Sequence, residues 1–312
     1  MSAIAIVIVT YNSGVEIGPC IAAAHRIPDA EIVVVDNASS DGSAGQASAA
    51  GARVVANPSN RGFAAAVNTG VEVTSAPLIL LLNPDAEYQS GIEHLVHCFR
   101  DPRVAGAGGL MVGADQRPQA GFMARNLPTS LTLAFEVLGL NRMFPGNPVN
   151  RRYRCRGLDL QNPSVVQQPA AAFFMFRREA WESVGGWDPG FWPIWFEDVD
   201  FCARLRSAGR AVMFHPLAVA KHTGGHSIHS LPLKVREQYW YGSLLRYSSR
   251  RFTAAGYFGV RWAVVAGALV RAITGLWKHG SKAVPVYWAV IRLAIRGVPE
   301  SGSGAEGFRR AG

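Results

Sequence analysis

Residues 4–9, Ile4-Ala5-Ile6-Val7-Ile8-Val9, are all apolar, and the run stops at Thr10-Tyr11-Asn12-Ser13. A short, β-branched, unbroken apolar run predicts a strand buried on both faces. The pattern returns at 31–35, ending in Asp36-Asn37, at 53–55, and at Leu78-Ile79-Leu80-Leu81-Leu82, ending in Asn83-Pro84-Asp85. Helical spacing separates these runs, over 15–25, 43–50 and 62–74, the last with Phe63, Ala66 and Gly70 on one face. Buried strands alternating with helices predict an α/β chain with a mostly parallel central sheet. Residues 113–165 are rich in Pro, Arg and Asn and read as irregular, the kind of long segment that carries function or moves. A strand over 170–176 and a helix over 197–208 follow, the latter closed by Gly209. Beyond about residue 230 the pattern becomes helical and rich in Trp, Tyr and Arg, and 299–312 is a Gly/Ser-rich tail predicted to be disordered.

Charge sharpens that division. Residues 1–220 carry 17 Lys/Arg and 19 Asp/Glu, whereas 221–312 carry 14 Lys/Arg and 3 Asp/Glu. The C-terminal part therefore predicts a basic helical extension facing an anionic surface, membrane or nucleic acid. Its apolar residues Trp262, Val265, Leu269, Ile273 and Leu276 fall on one helical stripe, with Arg271 and Lys278 opposite. No uncharged apolar run reaches about 18 residues, so no transmembrane helix is predicted. Nor does the apolar start look like a secretory signal, since no basic segment precedes it. The four cysteines form no CxxC pair, which disfavours zinc and redox chemistry and predicts reduced thiols.

Four groups of residues carry candidate chemistry. Thr10-Tyr11-Asn12 and Asp36-Asn37 end neighbouring strands, and in open α/β sheets ligands bind beyond the carboxyl ends of strands. Asp36 can accept hydrogen bonds from a base or ribose, and Tyr11 offers a flat face. Neither a GxGxxG nor a P-loop is present. Asn60-Arg61-Gly62 opens a helix, a place that favours anions, and Asn68 has poor propensity for the helix it sits in. Asp85 follows the last apolar strand, where a hard cation could take it together with substrate phosphates. Trp195-Phe196-Glu197-Asp198-Val199-Asp200 embeds three carboxylates among aromatics, and His222 and His226 flank Thr223-Gly224-Gly225. An apolar wall and like charges raise a carboxylate pKa, which suits a general base.

In their order along the chain these motifs resemble glycosyltransferase family 2 enzymes of the GT-A nucleotide-sugar-binding fold. The matches are residues 9–13, 35–43 and 60–70, Asn83-Pro84-Asp85, Gly185-Gly186-Trp187-Asp188, Glu197-Asp198-Val199-Asp200 and 222–227. The form of the motifs looks most like bacterial rhamnosyltransferases of cell-wall and O-antigen assembly. The resemblance implies a catalytic domain over 1–230, with a nucleotide-binding half to about 110 and an acceptor-binding half after it. The basic, apolar-striped helices over 231–298 suggest a membrane-associating extension, or else packing onto the catalytic domain. Thr10, Tyr11, Asn12, Asp36, Arg61, Asn68 and Asn83 would hold the nucleotide-sugar donor, dTDP-rhamnose first among them. Asp85 and His222 would hold Mg²⁺ or Mn²⁺, Asp198 would be the base, and Trp195, Glu197 and His226 would shape the acceptor side. The family's DxD motif is Asn83-Pro84-Asp85 here, so the metal site has one charge fewer. The implied reaction is an inverting, metal-dependent hexosyl transfer to a saccharide, a polyprenyl-diphosphate-linked one among the candidates. The implied place is cytoplasmic, peripheral on the inner face of the cell membrane, with no nucleic-acid partner. Donors of the UDP- or GDP-hexose or galactofuranose type are the alternative. A sugar nucleotidyltransferase would want a Gly-rich basic loop after the first strand, which Thr10-Tyr11-Asn12-Ser13 is not; an inactive membrane-binding relative is the last alternative.

Overall fold

The computed structural model describes residues 2–224 and 231–297, so His226 and the expected disordered tail lie outside the described residues. The first half alternates as its pattern predicts: β1 (Ile4–Thr10), α1 (Gly14–Ala24), β2 (Ala30–Asp36), α2 (Ser43–Ala49), β3 (Arg53–Ala56), α3 (Phe63–Glu72) and β4 (Leu78–Leu82). Then come β5 (Ala86–Ser90), α4 (Ile92–Cys98), β6 (Val104–Val112) and β7 (Ala124–Arg125). The segment read as irregular contains three short helices, α5 (Ser130–Val137), α6 (Leu140–Met143) and α7 (Pro148–Tyr153). β8 (Ser164–Val166), β9 (Gln168–Pro169), β10 (Phe173–Arg177), α8 (Arg178–Ser183), α9 (Glu197–Ser207) and β11 (Ala211–His222) complete the sheet-bearing part. Three helices close the chain: α10 (Leu233–Arg251), α11 (Ala254–His279) and α12 (Ala283–Arg296).

The described chain clusters into two units. The first, residues 1–127, 154–189 and 197–229, holds a nine-stranded sheet in the order β3-β2-β1-β4-β10-β6-β11-β5, with β8 on β11. β3, β2, β1 and β4 run parallel, and β10 enters antiparallel between β4 and β6. All five residues of β4 are buried, each such side chain being worth roughly 1.5–3 kcal/mol. α3 lies hard against this sheet: a Cβ on Gly70 would come within 2.4 Å of Val7. The expected strand over 170–176 begins only at Phe173, because Ala170 to Ala172 turn, and the Ala172 carbonyl accepts from Asn83 N–H at 3.1 Å. This places the Asn83-Pro84-Asp85 turn beside the entry to β10.

The second unit comprises residues 128–153, 190–196 and 230–312. Its α11 differs from expectation. Over Ala254–Trp277 it is long and apolar enough, by length and composition, to cross a membrane. Arg261 and Arg271, which interrupt the apolar run in the sequence, are both spent inside the unit. Arg261 donates to the carbonyls of Ala294, at 2.6 Å, and Ile295, and Arg271 to those of Val137 and Gly267. The opposite stripe, with Trp262, Leu269, Val270, Ile273, Leu276 and Trp277, is exposed. The side chain of Lys278 lies outside the described residues.

Candidate active site

Parallel register sets Thr10 opposite Asp36, at the carboxyl ends of β1 and β2. Both are buried. Asp36 Oδ2 accepts from Ser39 N–H at 3.1 Å, while Asp36 Oδ1 and Thr10 Oγ1 are buried without a hydrogen-bond partner. Unpaired buried polar atoms are costly, and here they face the edge where a ligand could satisfy them. Asn12, held at φ 53°, sews the two loops together. Its Oδ1 accepts from Ser40 N–H at 2.8 Å and its N–H donates to Ser39 Oγ at 2.9 Å. Tyr11 beside it is exposed. An asparagine network fixes the next loop: Asn37 Oδ1 accepts from Asn57 and from Arg61 N–H, and Asn60 Oδ1 from Asn37 and Gly62 N–H. The Arg61 side chain stays at the surface, 3.4 Å from Thr69 Oγ1. Asn68 reaches across to the Trp187 turn. Its Nδ2 donates to the Trp187 carbonyl at 2.7 Å, and its Oδ1 accepts from Trp187 N–H and Trp181 Nε1.

Asp85 and His222 come together. His222 Nε2 lies 3.5 Å from Asp85 Oδ1, with side chains 6% and 11% exposed, and Asp85 Oδ1 has no hydrogen-bond partner. Burial pushes the Asp85 carboxyl up; a protonated His222, which would donate to it, and the N–H groups of Asp85 and Gly224 outweigh burial and hold it below the usual carboxylate value. Gln119, in the irregular segment, sets the imidazole. Its Nε2 donates to the His222 carbonyl at 2.7 Å, which fixes the amide, because a carbonyl only accepts. Gln119 Oε1 then faces His222 Nδ1 at 3.1 Å, so Nδ1 must carry the proton. On a neutral imidazole that leaves Nε2 as a bare lone pair aimed at a carboxylate oxygen. Phe122 stacks on the ring at 5.1 Å and holds it flat. Two facing lone-pair donors fit a shared divalent cation. Among the described residues no cluster of three or more His, Cys, Asp or Glu side chains could hold a metal, so further positions would fall to substrate phosphate and water.

Asp198 opens α9 right after Trp195 and Phe196, two non-glycine residues at φ 79° and 68°. Such backbone is strained and needs support. Asp198 Oδ2 accepts from Gln168 Nε2 at 2.7 Å, and Oδ1 from Val199 N–H at 2.8 Å. Burial pushes its carboxyl up, partly offset by the Val199 N–H, Arg125 and Gln168. Glu197 is pushed up further, by burial and then by the charge of Asp198, and its Oε2 is unpaired. Asp200 is structural: it pairs with Arg204 at 2.7 Å, and Arg204 donates to the carbonyls of Val184 and Gly186. Gln119, Gln168 and Arg125 escaped the sequence reading. They sit in short strands and turns whose composition carries no periodic signal. The stretch 119–125 touches His222 at one end and neighbours Asp198 at the other, and Gln168 to Ala172 runs from Asp198 to Asn83.

The profile of the family described as Glycosyl transferase family 2 matches residues 5–185, more than half of the chain. The chain belongs to glycosyltransferase family 2. This family-2 glycosyltransferase is 26% identical over 239 residues to the N-acetylglucosaminyl-diphospho-decaprenol L-rhamnosyltransferase of Mycobacterium tuberculosis, covering 71% of this chain and 76% of that protein. It is 30% identical over 172 residues to the pre-mycofactocin glycosyltransferase of the same species, covering 54% of this chain and 32% of that one. Its fold is similar to that of the mannosyltransferase PcManGT from Pyrobaculum calidifontis, solved with GDP-Man and Mn²⁺. There the TM-score is 0.54 at 15% identity, over 99% of this chain and 79% of the other. GalNAc-T7, solved with UDP, GalNAc and Mn²⁺, gives 0.54 at 18% identity, over 79% and 50%. The fold is GT-A, with a mostly parallel central sheet and C-terminal helices.

Proposed function

We propose that this glycosyltransferase moves a sugar, L-rhamnose from dTDP-rhamnose first among candidates, onto a hydroxyl of a lipid-linked saccharide, with inversion. The observation that carries the reading is the Asp85–His222 pair, with its unsatisfied carboxylate oxygen, at the same sheet edge as the unpaired Asp36 Oδ1. Thr10, Asn12 and Asp36 hold the nucleotide, Tyr11 lies against the base, and Arg61 and Asn83 flank the diphosphate and sugar. Asn68 acts through the Trp187 turn. Asp198 takes the proton from the acceptor hydroxyl as its oxygen bonds to the anomeric carbon. The bond from that carbon to the nucleoside diphosphate breaks on the opposite face. A divalent cation bound at Asp85 and His222 would neutralise charge on the leaving diphosphate. Burial raises both carboxyls, Glu197 the more strongly, so Asp198 is the one that gives up its proton first. Rhamnose and the polyprenyl-diphosphate acceptor are supported by the name of the mycobacterial relative. Titrating dTDP, UDP and GDP into the full chain with and without Mn²⁺ tests the reading. Metal-dependent binding of dTDP is expected; no metal-dependent nucleotide binding would remove the proposal.

Gln119 gives a finer check on the metal pair. Gln119→Leu keeps the bulk but frees the imidazole tautomer, and partners of metal ligands typically matter about 10–100-fold in affinity. Mn²⁺ affinity measured by calorimetry should fall by that factor; an unchanged value would deny Gln119 this role.

The helical region from 231 onward docks on the inner membrane face in this reading, with 1–230 as catalytic domain. Residues 254–297 contain six Lys/Arg and no Asp or Glu. Their exposed apolar stripe includes Trp277 at 94% exposure. A stripe of that kind beside cationic residues suits an interfacial helix on anionic lipid. Ile273→Ser combined with Trp277→Ser should strongly reduce sedimentation with phosphatidylglycerol vesicles while the protein stays folded. Undiminished sedimentation would place the membrane contact elsewhere.

A further inference from the structure

β7 and β9 form a two-stranded ribbon apart from the main sheet, with Ala124 opposite Pro169 and Arg125 opposite Gln168. Residues directly opposite in an antiparallel pair stand on the same face, so Arg125 and Gln168 are side by side. Both act on Asp198. Gln168 Nε2 donates to Asp198 Oδ2 at 2.7 Å, and the Arg125 guanidinium bears on the carboxylate by its charge. The ribbon itself is tied down. Ala170 N–H donates to the Met123 carbonyl at 3.0 Å, Leu127 N–H to Gln167 Oε1 at 2.9 Å, and Arg125 Nε to the Gly121 carbonyl at 2.9 Å. Two other titratable groups bear on Asp198, Glu197 and Cys202 of its own helix, and burial pushes both towards their neutral forms. Among the described residues Arg125 is therefore the charge that offsets the burial of the base.

Gln168 is the sharper case. It is 4% exposed, and an ionised carboxylate only accepts, so the amide must turn Nε2 to Asp198. That leaves its Oε1 buried with no hydrogen-bond partner among the described residues. Gln119, by contrast, uses both ends of its amide on His222. A buried acceptor left unpaired costs stability. For packing alone a leucine would serve better at this place. What the glutamine supplies, and leucine cannot, is the one hydrogen bond to Asp198. We propose that Gln168, with Arg125 beside it on the ribbon, is a positioning residue that holds the Asp198 carboxylate for the acceptor hydroxyl. This rests on the reading of Asp198 as the base.

The test follows Asp198 itself, by NMR titration of the full chain carrying isotope-labelled aspartate carboxyls, with Asp198→Asn to assign the signal. A donated hydrogen bond favours the ionised form, so Gln168→Leu should move the midpoint up by about one pH unit. Gln168→Asn, which keeps an amide but falls a methylene short, should move it the same way. So should Arg125→Met, whereas Arg125→Lys, which keeps the charge, should stay near the parent chain. In transfer from dTDP-rhamnose the acid limb of kcat/KM should rise with the midpoint. Gln168→Leu should also lower kcat by about 10–100-fold at neutral pH, with dTDP affinity unchanged. In the Asp198→Asn background the same substitution should change kcat by less than about twofold, because no base is left to position. An unmoved midpoint in Gln168→Leu and Gln168→Asn overturns the inference. So do losses that multiply in the double variant, the mark of a purely structural role. The titration needs no substrate, which keeps the two readings apart. A chain that shows the shift but transfers no sugar would sink the glycosyl-transfer reading and leave the Gln168–Asp198 contact standing. Transfer with an unmoved midpoint would sink this inference alone.

Discussion

Asp198→Asn is expected to lower turnover by about 10²–10⁴-fold, the usual worth of general-base help, with nucleotide affinity intact. The amide keeps the side-chain shape and can still meet Gln168 and the Val199 N–H, so the start of α9 should hold its geometry. What it loses is the basic oxygen. The carboxyl stands above the ordinary aspartate value because burial outweighs its hydrogen bonds. A base works only when deprotonated, so activity should be present above that raised value and lost as pH falls through it. The acid limb of kcat/KM should accordingly lie above the ordinary carboxylate range. The same burial predicts that Asp198→Asn gains thermal stability near neutral pH, because the folded state no longer holds that charge. Near-normal turnover in the variant would take the role of base away from Asp198.

The second large effect is at Asp85. It is the sole carboxylate of its motif, since Asn83 is neutral. Asp85→Asn should abolish the Mn²⁺-dependent part of nucleotide binding, because a lone imidazole is a weak site for a hard cation. Charge stabilisation by such an ion is worth several kcal/mol, so turnover should fall by about two orders of magnitude or more. The variant should stay folded. Asp85 Oδ1 has no donor to lose, and the carbonyl of Asp85, which accepts from Thr223 N–H at 3.2 Å, is untouched. Calorimetric titration of dTDP with and without Mn²⁺ reads the effect, and metal dependence that survives in Asp85→Asn would move the cation site.

How much of this could be read in the sequence depended on periodicity. The strands β1 to β4 declare themselves because a parallel strand buried on both faces must be apolar throughout. Their ends, Thr10, Asp36 and Asp85, are then positioned by topology alone. Asn68 is ambiguous for a physical reason: a poor helix former in a helix signals a polar partner, but not whether that partner is a ligand or the Trp187 backbone. Gln119 and Gln168 gave no signal, since a side-chain amide in a turn looks like any other until tertiary contacts bring it to His222 or Asp198. α11 misled in the other direction. Arg261 and Arg271 break an apolar run on paper, yet carbonyls at neighbouring helix ends satisfy both.

In the proposed reaction Asp198 drives a sugar transfer at a metal-assisted donor site. Its most direct test incubates the full chain with Mn²⁺, dTDP-rhamnose and a GlcNAc-diphosphoryl lipid, and reads the product and its anomeric configuration by NMR. UDP- and GDP-sugars run alongside. A rhamnosyl-GlcNAc linkage of inverted configuration is expected, lost with EDTA and nearly lost in Asp198→Asn. Retained configuration, or no transfer from any of these donors, would contradict it.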